Sequence, residues 1–325
     1  MGTIIAKLKL SESYKLSEIP HIPVLLNETL KLFENIEDGY FIDCTLGFGG
    51  HSEAILNQHP DIKLIGIDQD AEAMEFAKKR LEKFKDRVEF INKRASEALK
   101  DLKDIKVAGI LADIGVSSYQ LDQVERGFTF ESDTLDMRMN KNQDLSAYDV
   151  VNFYSQQDLE YIIKEYAEER RYKKVVNAII AKRPLKSNRE LTDILGKVGI
   201  KDKKDLARIF QAIRIEVNNE LDELKKILQY SKELACKNTI IGIITFHSLE
   251  DRIVKNTFKE WSRKCICPPE AIRCECGGNN ELGVILTKKP LTASKEEVKR
   301  NPRSRSAKLR GFKFTRGRDA VRNKH

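Results

Sequence analysis

No apolar run in this 325-residue chain approaches the roughly 20 residues that a membrane-spanning helix requires. The expectation is therefore a soluble, globular chain without a membrane partner. Met1–Leu10 has one lysine-punctuated apolar stretch but neither a long hydrophobic core nor a small-residue cleavage site, so no secretory signal is expected and a cytoplasmic location is. Internal repeats are missing, and compositional bias is confined to the basic C-terminal end.

What the chain does have is an excess of positive charge. Fifty-eight Lys and Arg stand against 50 Asp and Glu, giving +8 and a pI near 9.0, a balance that favours a polyanionic partner. From Lys299 to Lys324 there are eleven basic residues and one acid, Asp319. The plain reading is a solvated tail. Phe312 and Phe314 interrupt the run in strand-like alternation, so its first half is expected to fold and its end to trail free.

Short apolar runs alternate with helical periodicity in the first third, the pattern of a parallel sheet with crossover helices. Strands are expected at Tyr40–Cys44, Lys63–Asp68, Val88–Ile91 and Val107–Asp113. Between the second and third, Met74, Ala77, Leu81 and Phe84 recur at helical spacing behind a capping residue, Asp70. The next buried strand, Thr239–Phe246, comes about 125 residues after Asp113, far beyond a normal crossover. Helical stripes fill that gap: Leu159, Ile162, Ile163 and Tyr166, then Val175, Val176, Ile179 and Ile180. Ser187 with Glu190 forms a capping box ahead of Leu191, Ile194 and Leu195. One helix bearing Val217, Leu221, Leu224 and Leu228 is expected to return the chain to the sheet. Gly283–Thr287 and Lys308–Phe314 then complete seven strands. This divides the chain into an N-terminal extension (1–20), a first α/β part (21–127), an inserted helical subdomain (128–213), a second α/β part (214–314) and a basic tail (315–325).

The first strand ends at Asp43 and runs into Thr45-Leu46-Gly47-Phe48-Gly49-Gly50-His51-Ser52. Glycines here let the backbone turn tightly and approach a ligand at the next helix's N-terminus. A purely structural turn is the alternative. Ligands of open α/β sheets bind in the crevice at the strand carboxyl ends, and three strand ends offer acids there: Asp43, Asp68 and Asp113. Asp68 lies nineteen residues after Gly49, placed to accept hydrogen bonds from ribose hydroxyls, although Asp68 and Asp113 could instead cap helices. The loop lacks the G-x-G-x-x-G of nicotinamide-binding folds. A carboxylate as early as Asp43 suits a cofactor with an amino-acid moiety, whose ammonium needs an acceptor, better than a pyrophosphate.

Many ordered segments resemble one family, the bacterial 16S rRNA cytosine-N4 methyltransferases called ribosomal RNA small subunit methyltransferase H. The resemblance runs from His21 to Arg310. It rests on His21-Ile22-Pro23-Val24-Leu25-Leu26, Gly47–Ser52, Asp113-Ile114-Gly115-Val116-Ser117-Ser118-Tyr119-Gln120-Leu121-Asp122 and Arg126-Gly127-Phe128-Thr129-Phe130. Leu135–Met139, Phe210–Arg214, Phe246-His247-Ser248-Leu249-Glu250-Asp251-Arg252 and Asn301–Ser306 extend it. It implies a class I S-adenosylmethionine-dependent methyltransferase fold, Rossmann-like with seven strands and an inserted helical subdomain. It also implies S-adenosylmethionine as cofactor, and a cytidine in the decoding region of 16S rRNA, within the small ribosomal subunit, as substrate. Carried over residue by residue, Gly49, Gly50 and His51 contact the cofactor, Asp68 its ribose, and Asp113 and Gln120 the rest of the pocket. Tyr119 departs from the family's frequent proline, and Ala95 stands near a position usually aromatic beside the cofactor.

Cytosine N4 is a weak nucleophile because its lone pair is delocalised into the ring, so the reaction needs alignment and hydrogen-bond acceptors rather than a covalent nucleophile. Asp113 is the candidate acceptor. None of the six cysteines follows Pro or Thr, as the attacking cysteine of carbon-5 enzymes does, and the single Pro-Pro, Pro268-Pro269, precedes Glu270 rather than an aromatic residue. His247, Ser248, Asp251 and Arg252 are candidates to face the substrate; a helix cap at Ser248 and a local Asp251–Arg252 ion pair are the alternative. Arg303 and Arg305 are candidates for phosphate contacts. Cys265, Cys267, Cys274 and Cys276 form C-x-C-x6-C-x-C, which could bind zinc, stay free or form a disulfide, the last disfavoured in a reducing cytoplasm. No metal is assigned on this basis. Cys44 and Cys236 read as small buried residues. Two rival readings stand beside the rRNA enzyme: a methyltransferase of the same fold on another amine, in DNA or protein, and an RNA-binding assembly factor without turnover.

Overall fold

Seven apolar runs become seven strands of one sheet: β1 (Gly39–Asp43), β2 (Ile62–Ile67), β3 (Val88–Ile91), β4 (Val107–Asp113), β5 (Ile240–Thr245), β6 (Gly283–Ile285) and β7 (Lys308–Phe314). They pair in the order β3-β2-β1-β4-β5-β7-β6. The first five are mutually parallel, and β7 runs antiparallel to both neighbours. This is the class I sheet that the resemblance implies. The computed structural model describes residues 23–116, 120–121, 123–268, 270–271 and 273–317. The N-terminal extension, His21, Ile22, Ser117, Ser118, Tyr119, Asp122 and the tail beyond 317 lie outside the described residues.

The central strands β4 and β5 are buried almost end to end, as expected of parallel strands covered on both faces. On one face, Ile42, Ile65, Ile110 and Ile241 pack against α4 (Ala95–Asp101), α10 (Glu220–Leu234) and α11 (Ser248–Trp261). On the other, Phe41, Leu64 and Leu111 meet α1 (Leu26–Leu32), α2 (Gly50–Gln58) and α3 (Ala71–Arg80). The antiparallel strand is held by aromatics: Phe312 and Phe314 lie with Phe258 and Trp261, ring centroids 5.0–5.4 Å apart. Such pairs contribute about 0.5–1.5 kcal/mol each beyond burial. Gly242 and Gly311 are cross-strand partners on β5 and β7. A Cβ on Gly311 would come within 2.4 Å of Leu32, so the paired glycines let α1 sit against the sheet.

Between β4 and β5 lie α5 (Ala147–Phe153), α6 (Gln156–Tyr161), a π-helical turn (Ile162–Tyr166), α7 (Tyr172–Ile180), α8 (Asn188–Lys197) and α9 (Lys203–Asn218). They share a core of their own, in which Leu159, Ile163, Val175, Val176, Leu191 and Ile213 are fully or almost fully buried. Ser146 and Asp149 close a complete capping box on α5. At α8 the expected box is half made. Ser187 accepts the Glu190 N–H, but the Glu190 carboxylate takes the Lys186 N–H at 2.7 Å. The expected single return helix is two helices. Asn219 adopts a left-handed conformation at φ 51°, which places Val217 at the end of α9 and Leu224 and Leu228 on α10. A left-handed Asn breaks a helix locally while leaving apolar periodicity intact on both sides, so periodicity alone does not reveal it. α9 runs across the 213/214 boundary drawn from the sequence.

Asn152 on α5 bridges two backbones: its amide donates to the Leu185 carbonyl at 2.8 Å and its carbonyl accepts the Leu185 N–H at 2.7 Å. Replacing it with leucine strands a buried donor and a buried acceptor, each costing about 1–3 kcal/mol. Asn152→Leu should therefore lower the urea midpoint by an amount equivalent to about 2 kcal/mol or more. An unchanged midpoint with an unchanged slope rejects this role.

Candidate active site

Three neighbouring parallel strands, β2, β1 and β4, end in acids at the same edge of the sheet, and the glycine loop after β1 folds over them. Gly47 and Gly49 take left-handed conformations, φ 52° and 74°, and Gly49 sits at the cap of α2. Asp68, just past β2, accepts the Gly47 N–H at 2.7 Å and the Asp70 N–H at 2.8 Å. Asp43 accepts the Ser52 hydroxyl at 2.6 Å and the Thr45 N–H at 3.2 Å. The loop is thus pinned by the carboxylates on which it rests. Above it opens a cavity of about 370 Å³, lined among others by Gly47, Gly50, His51, Asp68, Ala95, Asp113, Gln120, Arg214, Phe246 and Arg303, within the size range of small-ligand sites.

The electrostatics at this edge run against ionisation. Burial raises Asp113 to about 8, with further repulsion from Asp43 and Glu250. Burial likewise raises Asp68 to about 6, partly offset by its two backbone N–H donors. Asp43 also rises to about 6 by burial, against the pull of Ser52 and Thr45. His51 goes the other way, to about 4, because burial disfavours its charged form. Its Nε2 lies 2.9 Å from the Val24 carbonyl, which can only accept, so Nε2 holds the proton and Nδ1 is bare, 4.0 Å from the Asp113 carboxyl. The Asp113 Oδ1 is buried without a hydrogen-bond partner among the described residues. Positive charge on a ligand favours the ionised form of carboxyls raised in this way and gives the unpartnered oxygen a counterpart. S-adenosylmethionine fits such a site, since its sulfonium and ammonium bring positive charge.

The sequence-derived candidates divide sharply. Gly50, His51, Asp68, Asp113, Gln120 and Arg303 come together around the cavity. Gly49 does not line it; its contribution is the left-handed turn beside Leu81 and Ala77. Asp43 also stays behind the loop, so two acids rather than three face the crevice. Gln120 donates to Asp70 at 2.9 Å, and that carboxylate also caps α3. Ala95 is in the wall, which also contains Phe48 and Phe246.

The segment after β5 departs from the helix-cap and local ion-pair reading. The helix cap is His247, one residue before the expected Ser248, in a capping box with Glu250, whose carboxylate lies 2.8 Å from the His247 Nε2. Ser248 is exposed. Asp251 pairs with Arg310 at 2.6 Å rather than with its neighbour Arg252, and Lys308 stands 3.6 Å away. Burial pushes Asp251 up, but Arg310 and Lys308 together more than offset this and hold the carboxyl below its usual range. Arg252 instead reaches Glu168 at 3.2 Å. These pairings occupy Asp251 and Arg252 away from the cavity lining, and they also take Lys308 and Arg310 out of the free basic run. Arg305 is exposed and outside the cavity. The four clustered cysteines are also remote from the lining.

Sequence reasoning missed the wall contributed by the insert's far end. Arg214 forms a two-pronged ion pair with Glu220 at 2.8 and 2.9 Å, both largely buried. Asn218 holds Met137 and Met139 by backbone bonds of 2.8 Å. Glu223 caps α4 by accepting the Ser96 N–H and hydroxyl at 2.8 and 2.7 Å. Arg214 closes one of the family-like motifs, which was a signal; Glu220 and Glu223 read only as acids in a helix's first turn.

A family model described as the MraW methylase family matches residues 18–315. The chain is 76% identical over 305 residues to the ribosomal RNA small subunit methyltransferase H of Nautilia profundicola, covering 93% of this chain and 100% of that protein. It is 56% identical to the protein of the same name from Aliarcobacter butzleri, covering 91% and 99%. A Campylobacter jejuni relative, again of that name, is 53% identical, covering 91% and 98%.

At pH 6.5 the Asp113 carboxyl, raised to about 8, carries a proton in the ligand-free protein. A cationic cofactor favours the carboxylate, so binding S-adenosylmethionine should release protons and tighten as pH rises from about 6 toward 8. Calorimetry in two buffers of different ionisation enthalpy measures this. Asp113→Asn should abolish most of the release, and equal release by variant and parent removes Asp113 from the linkage.

Proposed function

This chain belongs to the MraW methylase family, and we propose that it transfers the methyl group of S-adenosylmethionine to the exocyclic N4 amine of a cytidine in the decoding region of 16S rRNA. The substrate in this reading is the rRNA within the small ribosomal subunit, which implies work in the cytoplasm. Among the described residues no helix is long and apolar enough to cross a membrane.

The observation that carries the reading is the Asp113 carboxyl: largely buried at the end of β4, raised to about 8, with its Oδ1 buried and unpartnered among the described residues, in the same cavity as the glycine loop. The bound cofactor supplies an activated methyl on a sulfonium. The chain's own task is then to align a weakly nucleophilic amine and to accept its N–H. Asp113, once ionised by the neighbouring positive charge, accepts a hydrogen bond from the amine and takes up the proton that nitrogen loses as its new bond to carbon forms. His51, neutral and fixed on Val24, offers its bare Nδ1 beside the same carboxyl. Asp68 and the Gly47 turn hold the cofactor end of the cavity, and Arg303 at the wall with Arg305 outside it meets phosphates of the RNA.

Incubation with methyl-labelled S-adenosylmethionine and small ribosomal subunits, followed by digestion to nucleosides, tests this directly. Label should appear in N4-methylcytidine. Label in another nucleoside, in DNA or in protein refutes the assignment, as does cofactor binding without any transfer. Arg303→Ala with Arg305→Ala should leave cofactor affinity intact and reduce the salt slope of RNA binding by about one for each phosphate left unneutralised; identical slopes exclude those two arginines from the RNA backbone.

A further inference from the structure

We propose that Cys265, Cys267, Cys274 and Cys276 bind one structural zinc ion as four thiolates. The four sulfurs all lie within 4.8 Å of one another. Cys265, Cys274 and Cys276 make a triangle with three edges of 3.6 Å. Zinc–sulfur bonds of about 2.3 Å in a tetrahedron give sulfur–sulfur edges of roughly 3.8 Å. A disulfide needs about 2.05 Å, and all four cysteines are free. The spacing suits a single ion, and four thiolates in a tetrahedron select zinc over the oxygen-preferring divalent cations.

A second observation comes from the backbone around the sulfurs. The Ile266 N–H donates to the Cys276 sulfur and the Glu275 N–H to the Cys267 sulfur, both at 3.3 Å, so each cysteine pair receives a donor from the strand of the other. Donors aimed at sulfur stabilise the thiolate form that a metal requires. The segment itself has no core. Between Trp261 and β6 no described residue is buried, and Ile266 is 61% exposed. Asn280 closes its base on the Lys264 and Cys276 carbonyls, and the Arg316 guanidinium donates to the Asn279 carbonyl. A loop with no fully buried side chain among its described residues has little hydrophobic return to set against its lost chain entropy, and a metal supplies what is missing. Four protein ligands leave no open position, so the ion is structural; it braces the loop that feeds β6 onto the edge of the sheet. Binding releases the thiol protons to solvent and involves no electron transfer.

Metal analysis of the full chain, purified in reductant without chelator, should find one zinc per chain, and Cys274→Ser with Cys276→Ser should reduce it to background. Cobalt exchange should give the intense visible bands and sulfur-to-cobalt charge transfer of a tetrahedral thiolate site. Titration with S-adenosylmethionine, read by calorimetry, checks that the double variant is folded, since its substitutions lie outside the cavity. A folded parent protein with four titratable thiols and no metal overturns the proposal. Iron in place of zinc, or a mass showing intramolecular disulfides, overturns it equally.

Discussion

Acidic side chains gathered at one edge of a buried sheet, each pushed toward its neutral form by burial, are the constraint from which the rest of the site follows. Asp43, Asp68 and Asp113 stand on adjacent strands, and each is pushed up chiefly by burial, with mutual repulsion added for the last two. Two of these acids brace the loop: Asp43 accepts the Thr45 N–H and the Ser52 hydroxyl, and Asp68 accepts the Gly47 and Asp70 N–H groups. Asp113 is left over. A ligand that brings positive charge relieves that edge, and in the proposed reaction the same carboxyl, once ionised, is the acceptor for the amine.

The cavity is completed only by chain that returns from the helical insertion. Arg214, Asn218, Glu220 and Glu223 straddle the left-handed Asn219, the point where α9 ends and α10 begins. The hydrogen bonds of Arg94 to the Asn218 carbonyl and of Glu223 to Ser96 tie that corner to the sheet side, while those of Asn218 to Met137 and Met139 tie it to the insertion. Movement of the insertion relative to the sheet therefore acts on the cavity wall. The buried Arg126 belongs to the same scaffold, donating to the Arg138 and Met139 carbonyls and standing 3.5 Å from Asp70, which gives the first residue of one family-like motif a structural role.

Much of the sheet was legible because its strands are short, apolar and bounded by breaks: β3, β4 and β7 match the expected ranges residue for residue, and the others differ by one or two residues at their ends. The long gap between β4 and β5 announced the insertion. Of the site, Asp68, Asp113 and the glycine loop were legible because strand-end acids and a glycine turn are local features. The partners of Asp251 and Arg252 were not. Adjacent opposite charges invite a local pair, but on a helix neighbouring residues point in different directions, and Asp251 meets Arg310 across the sheet edge while Arg252 meets Glu168 in the insertion.

The sequence by itself determined the strands, the glycine loop, the placement of acids at the strand ends and the family resemblance, since each depends on residues close together along the chain. Tertiary structure alone decided which acids face the cavity and which brace the loop, which arginines remain outside ion pairs with Asp251, and how four cysteines in an otherwise coreless loop converge. Those outcomes depend on distance in space and on burial, and neither is carried by spacing along the chain.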